Sequence, residues 1–184
     1  MIKPFDFYFD FISPYSFLAH KEIRKIEHKA DIKIRYKPIL LGGLHNLHGI
    51  KAPAFIPAKA KHMIKDCKLI AERNNVKFKF NSYFPIKSLN LMRGVLVAEE
   101  DNIKNYYIDN IFNTVWQDGL NMNDEVIVQK VIKNLNINPK TFLLRSTSSL
   151  IKDSLRKKTN EAYEKGIFGA PTFVSNNKIF WGQD

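Results

Sequence analysis

The segment FYFDFISPYSFLAH, residues 7–20, changes its period in the middle. Phe5, Phe7, Phe9 and Phe11 alternate with Asp6, Tyr8 and Asp10, the two-residue repeat of a strand. Pro14 then suits a first helical position, where its missing N–H costs nothing, with Ser13 as the preceding cap. Beyond it Tyr15, Ala19, Ile23 and Ile26 keep one helical face apolar. In DIKIRYKP, Ile32, Ile34 and Tyr36 alternate against Lys33, Arg35 and Lys37. A strand that hands over to a helix through so short a turn, followed by a second strand, is a βαβ opening.

The pattern then becomes helical. Met63, Cys67, Ile70 and Ala71 follow helical spacing, as do Leu89, Met92 and Leu96, and then Val128, Val131, Ile132 and Leu135. Pro139 fits a further helix start and Gly166 a helix stop. PTFVSNNKIFWG returns to β, with two short strands around Asn176-Asn177, residues that tolerate the positive φ of a tight hairpin. The order implies a single α/β domain of split sequence. Residues 1–41 and 167–184 form its sheet-containing part, and 42–166 are largely a helical insertion. A cleft is expected at their junction.

Composition narrows the chemistry. Cys67 is the single cysteine, so no internal disulfide, CxxC redox pair or cysteine-based zinc site can form. On its apolar helical face Cys67 reads as a small buried hydrophobe. The net charge of +11 is spread along the chain without a basic and aromatic stripe, which describes a solvated basic surface and no nucleic-acid interface. An anionic small molecule is the better match to that charge. The start lacks the pattern of a secretory signal and no apolar run has the length of a membrane span, so a cytoplasmic protein without membrane partner is expected.

Two elements carry candidate chemistry. Ser13 opens a helix whose first N–H groups and dipole favour an anion; its hydroxyl either caps its own helix or donates to a bound thiolate. Ser13 and Ser16 occupy the places where a redox protein of this shape holds two cysteines, which excludes dithiol chemistry. In GIFGAPTFV, Pro171 stands at the start of a strand. Were the Ala170–Pro171 bond cis, the Ala170 N–H and C=O would face the cleft and pair with an extended peptide ligand. His45 and His48 lie in the loop-like GGLHNLHG, as substrate-mouth residues or as exposed polar ones, and no third metal ligand accompanies them. Arg93 and Lys87 suit a substrate carboxylate. Tyr83, Phe84 and Trp116 either stack on an aromatic ring or pack in the core, the commoner role.

FYFDFISPYSFLA, KPILLGGL, PAKAKHMIKD, YFPIKSLNLMR and GIFGAPTFVSNNKIFWGQD, in that order, resemble the 2-hydroxychromene-2-carboxylate isomerases. That family belongs with the kappa-class glutathione transferases, on a thioredoxin-like fold with an inserted all-helical domain. The resemblance implies glutathione as cofactor, an anionic aromatic pyruvate compound as substrate, and a homodimer. It makes Ser13 the catalytic serine that donates to the glutathione sulfur and Lys59, in PAK, the partner of a glutathione carboxylate. Ala170 and Pro171 bind the cysteinyl part through the main chain. Asp184 holds the γ-glutamyl amino group, with Gln183 beside it. His45, His48, Tyr83 and Arg93 become substrate candidates. Ile50 departs from the family pattern, which often has Asn there, and family members continue past the equivalent of Asp184 into a final helix. The activity implied is glutathione-dependent cis–trans isomerisation; a kappa-like transferase or peroxidase and a non-catalytic thioredoxin-like binding module are the alternatives.

Overall fold

The computed structural model describes residues 4–29 and 32–183. β1 (Phe5–Phe9) is followed by α1 (Pro14–Lys29) and β2 (Ile34–Pro38). Then come α2 (Leu41–His48), a single 3-10 turn (Pro53–Phe55), α3 (Pro57–Arg73), α4 (Leu89–Glu100) and α5 (Lys104–Asn113), which runs on into a π-helical segment, Thr114–Asp118. α6 (Glu125–Asn134), α7 (Pro139–Ser146) and α8 (Ser149–Glu164) precede the hairpin of β3 (Thr172–Ser175) and β4 (Lys178–Trp181). The strands form one sheet in the order β2-β1-β3-β4. β1 pairs parallel with β2, Phe7 opposite Tyr36, and antiparallel with β3, Phe7 opposite Phe173. Asn176 (φ 49°) and Asn177 (φ 60°) supply the hairpin's positive-φ pair, as their type suggested.

β1 is central, so both its faces are covered. Phe7, Phe9 and Phe11 meet Tyr36, Phe17 and, from α5, Phe112, whose ring centroid lies 4.8 Å from that of Phe11 in an edge-to-face arrangement. Trp116 and Tyr107 join the same core, so the helices inserted between β2 and β3 are packed directly onto the Phe face of the first strand. The opposite face carries Tyr8, which packs with Ile39, Leu44, Ala162 and Ile167 from α2, α8 and the loop after it. The alternate positions Asp6, Tyr8 and Asp10 are therefore buried too, where a two-residue repeat alone would put them in water.

Candidate active site

Several backbone groups of the turn from β1 into α1 have specific partners. Phe11 C=O accepts from Trp116 Nε1 at 2.8 Å, and Phe11 N–H points at Met92 Sδ, 3.4 Å away in α4. Ile12 N–H donates to Asp10 Oδ1 at 3.0 Å and Ser13 N–H to the Asp10 carbonyl at 3.1 Å. Ser13 Oγ accepts from Ser16 N–H at 3.1 Å, which makes it the helix cap the sequence proposed. Pro14 has no N–H, and Phe17 N–H returns to Ser13 C=O. Among the described residues Tyr15 N–H, in the first turn, donates to no acceptor.

The Ser13 hydroxyl proton has its own acceptor. Oγ donates to Ala170 C=O at 3.0 Å, and the Ala170–Pro171 bond is cis. Among the described residues the Ala170 N–H donates to no acceptor. Ser13 and Ala170, from the two ends of the chain, thus share one spot at the N-terminus of α1. Ser16 Oγ, fully buried, has no partner among the described residues.

α3 brings in Lys59. Tyr15 Oη donates to Asp66 at 2.8 Å near the start of α1, and Lys25 reaches the Asn74 carbonyl at 2.7 Å near its end. These two contacts make α1 and α3 parallel. Residues before Asp66 therefore overhang the N-terminus of α1, and Lys59, seven residues earlier, stands roughly 10 Å further along the helix axis. Lys59 is exposed and has no carboxylate partner among the described residues.

The other predicted residues are distributed around this point. His45 and His48 lie on helix α2, not in a loop: despite Gly42 and Gly43, His48 Nε2 is tied to Ile167 C=O at 2.8 Å and its ring packs on Tyr163. Burial, then the neighbouring His48, pulls the His45 pKa down. Tyr83 is 49% exposed, so the core role fails for it, whereas Trp116 is fully buried and Phe84 packs against it. Arg93 follows Met92 in α4; its Nη1 meets Asn90 at 3.1 Å, its Nε has no partner, and burial lowers its pKa. Gln183 lines an apolar groove between α1 and the hairpin, with Phe5, Ile26, Phe173 and Phe180. Asp184 lies outside the described residues. Cys67 is buried, and burial pushes its thiol up to about 12, so it is inert near neutral pH. Among the described residues no group of three or more His, Cys, Asp or Glu gathers at metal-ligand distance, and no helix is long and apolar enough to cross a membrane.

Asp10 is the residue that the sequence alone did not reveal. It is 0% exposed and sits beneath the Ser13 turn; its place in an alternating strand pattern reads as a solvent-facing position.

The model of the DSBA-like thioredoxin domain matches residues 5–184. The chain belongs to the DSBA-like thioredoxin family. Within that family, this DSBA-like chain is 26% identical to a 2-hydroxychromene-2-carboxylate isomerase of Sphingobium xenophagum over 186 residues, covering all of this chain and 94% of that one. It is 22% identical to glutathione S-transferase kappa 1 of Rattus norvegicus, over 93% of this chain and 80% of the relative. A solved 2-hydroxychromene-2-carboxylate isomerase superposes with a TM-score of 0.90 at 24% identity, over 99% of this chain and 90% of that one. The thioredoxin-like sheet with its helical insertion is thus shared along the whole DSBA-like chain, and relatives named as isomerases support an enzyme.

Proposed function

We propose that this protein is a glutathione-dependent cis–trans isomerase of 2-hydroxychromene-2-carboxylate-like aromatic pyruvate compounds, with Ser13 as its catalytic residue. The observation that carries the reading is the Ser13 hydroxyl placed at the N-terminus of α1 and hydrogen-bonded to Ala170 C=O. The donor set fits glutathione. A hydroxyl, the Tyr15 N–H and a helix N-terminus suit an anionic sulfur, and the Ala170 N–H and C=O suit the cysteinyl main chain. The overhanging Lys59 suits a carboxylate. Gln183 and Asp184 are assigned to the γ-glutamyl end.

Held as thiolate, glutathione supplies a nucleophile that adds reversibly to a conjugated carbon, so that a double bond becomes a single bond free to rotate. The protein's part lies in its own groups. Ser13 has one hydroxyl proton, and in the free protein it goes to Ala170 C=O. To stabilise a thiolate the O–H must swing from that carbonyl to the sulfur, while Oγ keeps its bond from Ser16 N–H. A peptide N–H arriving at Ala170 C=O replaces what the serine gives up. Arg93, His45, His48 and Tyr83 are the candidates for holding the anionic aromatic substrate, with Lys59 and the general positive charge attracting it. A homodimer in the cytoplasm completes the proposal.

The test is spectrophotometric: 2-hydroxychromene-2-carboxylate is mixed with the protein, with and without reduced glutathione. Isomerisation to the ring-opened arylidene pyruvate only when glutathione is present, with no glutathione consumed, supports the reading. Net consumption of glutathione moves the assignment to a kappa-like transferase or peroxidase, which the kappa-class relatives favour. Binding without turnover leaves the non-catalytic module, for which the apolar Ile50 at a usual Asn position is the supporting feature.

A further inference from the structure

Asp10 is a fully buried carboxylate with no cation against it among the described residues. Burial raises its pKa, and the groups that oppose this are the N–H of Ile12, the N–H of Leu41 and the Ser88 hydroxyl. An unpaired buried acid is costly and is kept only where its hydrogen bonds have a use.

Those bonds go to separate elements around the Ser13 turn. Oδ1 accepts Ile12 N–H at 3.0 Å, which shapes the turn that presents Ser13; the Asp10 main-chain carbonyl holds Ser13 N–H itself. Oδ2 accepts Leu41 N–H at 2.8 Å. Leu41 is the first residue of α2, whose cap Leu40 offers no side-chain acceptor, so Asp10 caps α2 from outside. Ser88, at the cap of α4, makes no capping bond to its own helix. One carboxylate therefore ties the start of α2 to the turn into α1.

We infer that Asp10 is a positioning residue for Ser13: its carboxylate locks the turn carrying the serine to the start of α2, and so fixes where the hydroxyl meets the sulfur. The inference rests on the glutathione reading above. Asp10 does not touch the ligand; it acts through Ser13.

The experiment is a pH titration of the ultraviolet thiolate band of reduced glutathione bound to wild type, Asp10→Asn, Ser13→Ala and the double variant, with thermal melts of each. Asn has the shape of Asp but faces one backbone N–H with an NH2 group, so it breaks the lock. Loss of positioning raises the bound thiol's pKa by about one unit, tenfold less thiolate near neutrality, and adds nothing in the Ser13→Ala background. Loss of a negative charge alone would move that pKa the other way. A lowered pKa, an unchanged pKa with a lower melting temperature, or additive effects of the two substitutions each overturn the proposal. If Asp10→Asn does not fold, Leu41→Pro, which removes the N–H that Oδ2 accepts, at a first helical position that suits Pro, decides: a raised thiol pKa at an unchanged melt supports it and an unchanged pKa overturns it. A wild type that forms no thiolate band overturns the glutathione reading together with this one, whereas a band in wild type that survives Asp10→Asn overturns this one alone.

Discussion

The Ser13 hydroxyl donates to Ala170 C=O across 3.0 Å of space and 157 residues of sequence. Replacing Ser13 with Ala removes that bond and the cap on Ser16 N–H together. Two outcomes are expected. Stability falls by about 1 kcal/mol, the ordinary value of an N-cap. Glutathione still binds through the main chain, but its bound thiolate band disappears as the thiol pKa returns toward about 8.5. Isothermal titration and ultraviolet difference spectra check both; a full thiolate band in the variant would remove Ser13 from the mechanism.

Lys59 overhangs α1 without a carboxylate partner, so Lys59→Gln leaves the fold alone and changes what the overhang attracts. Glutathione affinity is expected to fall about tenfold, near 1.4 kcal/mol, and the gap between variant and wild type to narrow as salt is added. Equal affinities at low salt would place the glutathione carboxylate elsewhere.

His20 is fully buried in α1, stacked on Phe112, with Nδ1 3.0 Å from Tyr36 Oη and Nε2 2.8 Å from Asp109, out of line for a strong bond. Burial dominates and pulls its pKa from 6.5 to about 4, the nearby Asp109 notwithstanding. The unfolded chain protonates this ring below about pH 6.5 while the folded one stays neutral, so the unfolded state binds more protons as the pH falls. The contribution is complete above the unfolded pKa and is lost on descending to the folded one, up to about 3 kcal/mol. Urea titrations at neutral pH and between pH 6 and 4 should show that loss, and His20→Phe should flatten it. An identical slope in the variant would mean that another group carries the acid sensitivity.

Gly94 lies where α4 meets α5 and α7, and a Cβ there would overlap the Tyr107 hydroxyl and crowd Phe142. Tyr107 is buried and donates to Leu91 C=O, so it cannot move aside without losing that bond. Gly94→Ala is expected to destabilise the protein by about 1–3 kcal/mol despite Ala's better helix propensity, measured by denaturant midpoint. A gain in stability would mean that the helical block is looser than its packing implies.

The elements legible in the sequence are those set by local physics: the Phe repeat, the Ser13-Pro14 start, the Pro139 start, the Gly166 stop and the Asn176-Asn177 hairpin. Each depends on neighbours a few residues away. GGLHNLHG reads as loop because two glycines weaken a helix, yet His48 is held by Ile167 and its helix forms. Asp10 sits at an alternate position of a strand pattern, which reads as exposed, and no local signal marks His20 as buried; α2, which bonds Asp10, and α5, which packs on His20, arrive later in the chain. Of the candidate site, the residue types at Ser13, Lys59 and Ala170 were readable, while the parallel setting of α1 and α3 that carries Lys59 beyond the start of α1 is purely three-dimensional.

The strand β1 is made long before its antiparallel neighbour β3. At about 5–20 residues per second, a ribosome that has just produced Ser13 needs roughly ten to thirty seconds more to produce Ala170. In that interval β1 can dock on β2 and receive the helices, but the side of its ladder meant for β3 stays open. A nascent chain halted before Pro171 would therefore carry much of the core without the paired strand that holds Ala170 against Ser13. The newborn protein's exposure to chaperones and to mispairing is greatest just before it becomes able to bind anything.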